Sequence, residues 1–412
     1  MNIIEELKQR GILKQISNID KFNKLVPSQT RVYGGFDPTA KSLHLGNYML
    51  MSTLKRFKDA GFNAVALIGG ATGMIGDPSF KDSERVLLDN AQVVENKNRI
   101  RKQLEAIGLE VFDNFDIYKN MNVLEFLRDA GKLINISYML AKDSVSSRIE
   151  RGLSFTEFAY QLLQGNDFLE LYKNKNVMVQ VGGSDQWGNI TTGLDMISKV
   201  VGDNNSKAVG ITLDLLTDEN GKKIGKSTGG GSLWLDKEMS SPFHMYQYLY
   251  NQTDAIVEKL LLWLTFIDIE KIKEIMIEHN TNTSARFAQK KLAYNVVKDI
   301  FGESEAKIAV NITKILFDKG FDASSLTIQD LEQMQLYLPV SNIAINENIV
   351  DNLIMNKFIS SKREAREFIN NKALRIDDQI IDETTQFNPQ KYGNKFAIFK
   401  KGKKQTIILK AI

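Results

Sequence analysis

Short apolar runs that end in glycine or polar residues, each followed by a helical pattern, dominate the first half of the chain. Arg31 to Phe36 reads as a strand, Leu43 to Ala60 as a helix closed by Gly61, and Asn63 to Gly70 as a buried strand. Asn176 to Val181 and Ala208 to Leu213 continue the series. This alternation predicts an α/β fold built on a doubly wound, Rossmann-like parallel sheet. Ligands of such sheets sit beyond the carboxyl ends of the strands. The glycine-rich segments fall there: Gly34-Gly35, Gly69 to Pro78, and Gly182-Gly183-Ser184-Asp185-Gln186.

The pattern changes at Ser240. Strand signals fade, helical spacing dominates to about Gly320, and Ser241-Pro242-Phe243 marks a helix start. Phe321 to Ile349 shows little periodicity. The tail reads as a basic amphipathic helix (Ser361 to Ile369), a turn, and a strand (Leu374 to Asp377). The expected organisation is a sheet domain over 1–215, a lysine-rich loop over 216–239, an α-helical domain over 240–325, a linker over 326–349 and a small α+β domain over 350–412.

With 43% hydrophobic and 25% charged residues, the 412-residue chain can bury large cores. It has no cysteine, which excludes disulfides, thiolate zinc sites and a cysteine nucleophile. His44, His244 and His279 are too dispersed for a histidine metal site, so none is expected. Met1 to Lys8 lacks the regions of a signal peptide. The longest apolar run, Leu260 to Ile267 with Thr265 inside it, is far below membrane-spanning length. A cytoplasmic protein with no membrane partner is expected. Net charge is +3, but residues 357–412 hold 13 Lys/Arg against 6 Asp/Glu, a net +7, which leaves −4 on the rest. A basic tail on a mildly acidic body points to a polyanionic partner held by one end. A solvated lysine face gives the same count.

Four segments carry chemistry. In Tyr33-Gly34-Gly35-Phe36-Asp37-Pro38-Thr39-Ala40-Lys41-Ser42-Leu43-His44-Leu45-Gly46-Asn47, a strand passes through a turn into a helix N-terminus. Free N–H groups there suit phosphate oxygens. His44 and Asn47, three apart, can face one ligand, and Gly46 lets it approach the backbone. Taken alone, His44 reads more readily as a core histidine; Tyr33-Gly34-Gly35 before it on a strand strengthens the ligand reading. In the second segment, Ser154 and Glu157 suggest a capped helix start. Tyr160, Gln164 and Asp167 then fall on one stripe of the helix, facing either a ligand or solvent. Gln180 to Asn189 combines glycines with Asp185, which suits a ribose hydroxyl, and Gln186. Last, Gly221 to Gly231 sets Lys222, Lys223 and Lys226 among glycines. This suits a cationic loop that closes over a triphosphate, although Asn220-Gly221 also fits a surface hairpin. The spacing of a P-loop is absent.

Together these segments resemble the bacterial tyrosyl-tRNA synthetases, class I aminoacyl-tRNA synthetases, over nearly the whole chain. Pro38 to Asn47 is similar to the family's first signature, Lys223 to Ser227 to its lysine-loop signature, and Gly182 to Asn189 to a stretch typical of the tyrosine enzymes. The tail resembles the small RNA-binding fold of a ribosomal protein. The resemblance implies an ATP-dependent ligase that forms tyrosyl-adenylate and transfers tyrosine to tRNA(Tyr), in a homodimer, with Mg2+ arriving on ATP. It implies that Tyr33 and Asp167 hold the substrate phenol. Asp77, Tyr160 and Gln164 would hold the amino group, and Gln186 would lie near the carboxylate. It places Gly35, Asp37, His44, Gly46, Asp185 and Lys226 at ATP. Thr39, His44, Asn47, Lys223, Lys226 and Ser227 would act on the transferring phosphates. The helical domain would bind the anticodon, and Lys362, Arg363, Arg366, Lys372 and Arg375 would contact RNA. Two positions depart from the family pattern: Asn47 stands where many relatives have histidine, and Ile224-Gly225 replaces Met-Ser. A tryptophan-specific relative would not need Tyr33 and Asp167, and a non-catalytic RNA-binding paralogue would not need His44 or the loop lysines.

Overall fold

The computed structural model describes residues 2–77, 89–140, 142, 145, 152, 154–219, 221, 223–224, 233–318, 325–402 and 405–412. The chain divides into two compact units, one of residues 1–240 with 252–288, the other of 241–251 with 289–412.

The first unit is built on six strands: β1 (Leu13–Ile16), β2 (Arg31–Phe36), β3 (Asn63–Ile68), β4 (Glu110–Asp113), β5 (Val177–Gly183) and β6 (Val209–Leu213). Their order is β1-β6-β5-β2-β3-β4. All neighbours are parallel except β1, which pairs antiparallel with β6 at one edge. The central strands are the long apolar runs legible in the sequence, and every residue of β6 is buried. β5 runs two residues further than expected, through Gly182 and Gly183. β1 and β4 were not expected. Both lie at sheet edges and mix exposed with covered residues, so neither forms an apolar run. The strand order reverses between β2 and β5. Their carboxyl ends, Tyr33 to Phe36 and Gln180 to Gly183, therefore frame a crevice at the topological switch point.

Three helices position the walls of that crevice. Leu45–Asp59 follows β2, Phe155–Lys175 precedes β5, and Trp187–Val201 follows it. The last two pack closely because each has a glycine at the contact. A Cβ on Gly165 would meet Thr192 Cγ2 at 2.8 Å, and one on Gly193 would meet Phe168 Cδ1 at 2.9 Å. Phe168, Leu169, Met196 and Ile197 from these helices join Tyr33, Val65 and Val177 of the sheet in one core cluster. Elsewhere in the unit, a buried polar cluster joins the N-terminus to a much later helix. Glu6 Oε1 accepts from Arg10 Nε (2.8 Å) and Arg56 Nη1 (3.0 Å). Arg10 donates to the carbonyls of Leu262 (3.1 Å) and Ile267 (2.9 Å), and Arg56 to that of Thr265. These carbonyls lie in the last turn of helix Asp254–Leu264 and just beyond it, where a helix end leaves acceptors that buried arginines can satisfy. Burial, and next the Arg10 charge, lower the Arg56 pKa to about 10.

The second unit contains helices Pro242–Tyr250, Glu303–Phe317 and Ile328–Met334 and a five-stranded sheet. Its strands are β7 (Val340–Ile343), β8 (Leu374–Ile376), β9 (Gln379–Ile380), β10 (Phe396–Lys401) and β11 (Gln405–Ala411), ordered β7-β11-β10-β8-β9. Strand alternation splits the apolar residues between two faces. Ile398 and Ile408 pack with Ile308, Ile312 and Leu331, while Phe399, Ile407 and Leu409 pack with Ile349, Leu353 and Ala365. The stretch 326–349, featureless in sequence, thus supplies a helix and a strand of this core. The tail helix is Lys362–Asn370, close to the expected span. β8 and β9 join through Asp377 and Asp378, both at positive φ (47° and 66°), as a two-residue type I′ hairpin turn requires. Among the described residues no helix is long and apolar enough to cross a membrane.

Candidate active site

At the switch point lies a cavity of about 550 Å³. Of the candidate residues it gathers Tyr33, Gly35, Asp37, Thr39, His44, Gly46, Asn47, Asp77, Tyr160, Gln164, Asp167, Asp185, Gln186 and Lys223. Lys226 and Ser227 lie outside the described residues.

The inner end is aromatic and acidic. Tyr33, on β2, is buried against Phe168 with ring centroids 5.5 Å apart, and its hydroxyl has no hydrogen-bond partner. Asp167 is also buried. Its Oδ1 accepts from the Tyr118 hydroxyl (2.6 Å) and its Oδ2 from Asn114 Nδ2 (2.9 Å). Burial raises the Asp167 pKa to about 7, against the lowering effect of these two hydrogen bonds. Burial, with Asp167 nearby, raises the Tyr33 pKa well above its ordinary value.

Along the wall, polar groups form a continuous chain. Asn114 Nδ2 also donates to Thr72 Oγ1 (3.1 Å), and Thr72 to Asp37 Oδ1 (2.7 Å). Asp37 Oδ2 accepts from the Tyr160 hydroxyl (2.8 Å). Ser154 Oγ caps the helix at Glu157 N–H (3.2 Å), and Tyr160, Gln164 and Asp167 of the stripe line the cavity. On the opposite wall Asn189 Nδ2 donates to Gln164 Oε1 (2.9 Å) and Gln186 Oε1 (3.1 Å), and Gln186 Nε2 to Asp77 Oδ2 (2.8 Å). A Cβ on Gly69 would fall 1.9 Å from Asp37 Oδ1, so only glycine leaves room for that carboxylate.

The outer end carries the phosphate-binding candidates. His44 is the N-cap of helix Leu45–Asp59, and its backbone N–H donates to Asn47 Oδ1 (3.1 Å). Asn47 thus completes the helix start with its oxygen and keeps its amide N–H groups for a ligand. The lysine segment is fastened on both sides. Ile224 N–H donates to Leu216 O (2.8 Å), and Lys223 Nζ lies 2.9 Å from Asp185 Oδ2. Beyond the loop, Leu45 N–H donates to Leu233 O (2.9 Å) and Leu235 N–H to Leu43 O (2.8 Å). A Cβ on Gly46 would lie 2.7 Å from Ile224 O, so this glycine admits the start of the loop.

Sequence reasoning missed Thr72, Asn114, Tyr118 and Asn189. Asn114 and Tyr118 follow β4, the strand that was not expected. Lys362, Arg363, Arg366, Lys372 and Arg375 are all exposed in the second unit. Lys362 pairs with Asp351 (3.0 Å) and Arg366 with Glu383 (3.1 Å).

A parallel sheet whose switch-point crevice joins a helix N-terminus to a lysine loop is the architecture of the class I tRNA synthetases. The family model for "tRNA synthetases class I (W and Y)" matches residues 27–318, and that for the "Tyrosine--tRNA ligase SYY-like C-terminal domain" matches 330–409. The chain is 61% identical to the tyrosine–tRNA ligase of Mycoplasmopsis agalactiae over 412 residues, the full length of both. It is 53% identical to that of Mycoplasmopsis synoviae over 99% of each chain. Among solved structures, a C-terminally truncated mitochondrial tyrosyl-tRNA synthetase from Aspergillus nidulans superposes with a TM-score of 0.68 at 32% identity, covering 77% of this chain and 94% of that one. The chain belongs to the tyrosine–tRNA ligase family of class I tRNA synthetases.

Proposed function

We propose that the cavity binds L-tyrosine at its inner end and Mg2+–ATP at its outer end. There the tyrosine carboxylate attacks the α-phosphate, releases pyrophosphate and forms tyrosyl-adenylate. The terminal ribose hydroxyl of tRNA(Tyr) then takes the tyrosyl group. The observation that carries this reading is the unpartnered Tyr33 hydroxyl beside Asp167, a donor and an acceptor buried together at the closed end of the crevice. A phenol satisfies both, accepting from Tyr33 and donating to Asp167; an indole or a phenyl ring does not. Asp77, Tyr160 and Gln164 receive the ammonium. Tyr160 suits this because its proton is committed to Asp37, which leaves its oxygen free to accept. Gln186 lies by the carboxylate, Asp185 by the ribose, and Gly35, Asp37 and Gly46 along the nucleotide.

The nucleophile is already an anion, so no general base is needed. Catalysis comes from alignment and from stabilising charge on the phosphate and leaving pyrophosphate, by Thr39, His44, Asn47, Lys223, Lys226 and Ser227. The exposed cations Lys362, Arg363, Arg366, Lys372 and Arg375 contact tRNA, with the 240–325 helices at the anticodon. A second copy of the chain covers the apolar side chains exposed on helices Val123–Asp129 and Ile136–Leu140 and at Phe155, among them Leu124 (74%) and Phe155 (75%). The setting is the cytoplasm, where tRNA is charged. ATP–pyrophosphate exchange with tyrosine and with tryptophan tests the central reading. Exchange with tyrosine alone supports it; exchange with tryptophan, or with neither, overturns it.

A further inference from the structure

We propose that Tyr118 is a positioning residue for amino-acid selectivity: its hydroxyl holds the Asp167 carboxylate ionised and aimed, so that the carboxylate accepts from a substrate phenol. The inference rests on the tyrosine reading of the cavity. Tyr118 ends the short helix Phe115–Tyr118 just beyond β4, outside the stripe that carries the substrate contacts. Its hydroxyl lies 2.6 Å from Asp167 Oδ1 and 2.9 Å from the Leu163 carbonyl, and Asn166 Nδ2 approaches it at 3.4 Å. With one proton to give, the phenol donates to the carboxylate, the stronger acceptor. Its ring is held edge-on by Phe126, with centroids 6.0 Å apart.

The reason a second phenol is needed lies in the company Asp167 keeps. Facing it are Tyr33 from β2, Asp37 at the end of β2, Asp113 at the end of β4, Tyr118, and Tyr160 from its own helix. Among the described residues Lys97 Nζ lies 2.7 Å from Asp113 and is committed to it. Two neutral donors favour its charged form against burial, Tyr118 on one oxygen and Asn114 on the other. Each oxygen retains one acceptor position. Protonation turns one oxygen into a donor and replaces a charge-assisted bond to the substrate hydroxyl by a weaker neutral one, which narrows the gap to a substrate without a hydroxyl. Removing the Tyr118 hydroxyl takes away one of the two groups that oppose protonation.

The test is ATP–pyrophosphate exchange with tyrosine and phenylalanine from pH 6 to 9, for the unmodified chain and Tyr118→Phe. The expected result is a tyrosine kcat/KM lowered about tenfold, mostly through KM, because the lost bond is remote from the reacting carboxylate. Phenylalanine should be nearly unaffected, so the selectivity ratio narrows. The acid limb of the tyrosine profile should move to higher pH. Phe126→Leu, which disturbs packing but keeps the hydroxyl, should leave the acid limb in place. An unchanged ratio and acid limb in Tyr118→Phe, or an equal shift of that limb in Phe126→Leu, overturns the assignment. Should Tyr118→Phe not fold, equilibrium dialysis of tyrosine against the unmodified chain decides. Affinity that weakens as pH falls toward 6 supports an ionised Asp167, and flat affinity across the range overturns the proposal. Absence of exchange by the unmodified chain with either amino acid refutes instead the tyrosine reading beneath it.

Discussion

At the scale of single residues, the site depends on burying a carboxylate that folding alone would prefer neutral. Burial raises the Asp167 pKa from 3.8 to about 7, so between these values the folded chain binds a proton that the unfolded chain has released. Stability from this group is therefore present at low pH and is lost as pH rises from about 4 to about 7. Asp167→Asn carries no such cost. Its stability relative to the unmodified chain should improve by on the order of 1–3 kcal/mol between pH 5 and pH 8. Urea unfolding of both proteins at the two pH values measures this; a gap that does not change with pH contradicts it. Tyrosine exchange should fall in the same variant, since a charged acceptor is replaced by a neutral amide whose NH2 group adds a donor. Tyr33→Phe should act on selectivity, narrowing the tyrosine–phenylalanine gap in kcat/KM, and an unchanged ratio would remove Tyr33 from the phenol end.

At the scale of elements, the site depends on a helix start and a loop that meet. Gly46 leaves room for the Ile224 carbonyl, a backbone atom that cannot swing away as a side chain can. Gly46→Ala should therefore displace the start of the lysine loop, slowing adenylate formation in stopped-flow measurements while a separate tyrosine titration is nearly unchanged. Lys223→Ala should show the same separation, because the lysine meets charge that develops on phosphate. Equal losses of tyrosine affinity and rate in both variants would make the loop a structural element only. These elements were legible to different degrees. The Tyr160–Gln164–Asp167 stripe could be read because helical period and cap chemistry agree there. β2, β3, β5 and β6 could be read because central parallel strands are apolar on both faces. β4 could not: Glu110-Val111-Phe112-Asp113 lies at an edge and has no such run. Asn114 and Tyr118 were lost with it, since nothing else marked them as lying beyond a strand's carboxyl end. Nor could the sequence show that the oxygen of Asn47 is spent on its own helix.

At the scale of the whole molecule, adenylate chemistry is assigned to the first compact unit and the RNA contacts of the tail cations to the second, so these two should respond to different changes. Replacing exposed Lys362, Arg363 and Lys372 by alanine should weaken tRNA binding and flatten its salt dependence by about one unit of log–log slope per lost phosphate contact. ATP–pyrophosphate exchange should stay as it was. Matching tRNA affinities and slopes in the two proteins would show that these cations face only solvent. The cluster of Glu6, Arg10 and Arg56 has a consequence of another kind, for the order of events during synthesis. Besides Glu6, the acceptors for the two arginines are the carbonyls of Leu262, Thr265 and Ile267, which are made only when about two-thirds of the chain has been synthesised. Until then Arg10 and Arg56 can meet Glu6, but the N–H groups that the later carbonyls accept must be left to water. Residues translated at the very start are thus locked in place only after a helix made about 250 residues later has followed them out.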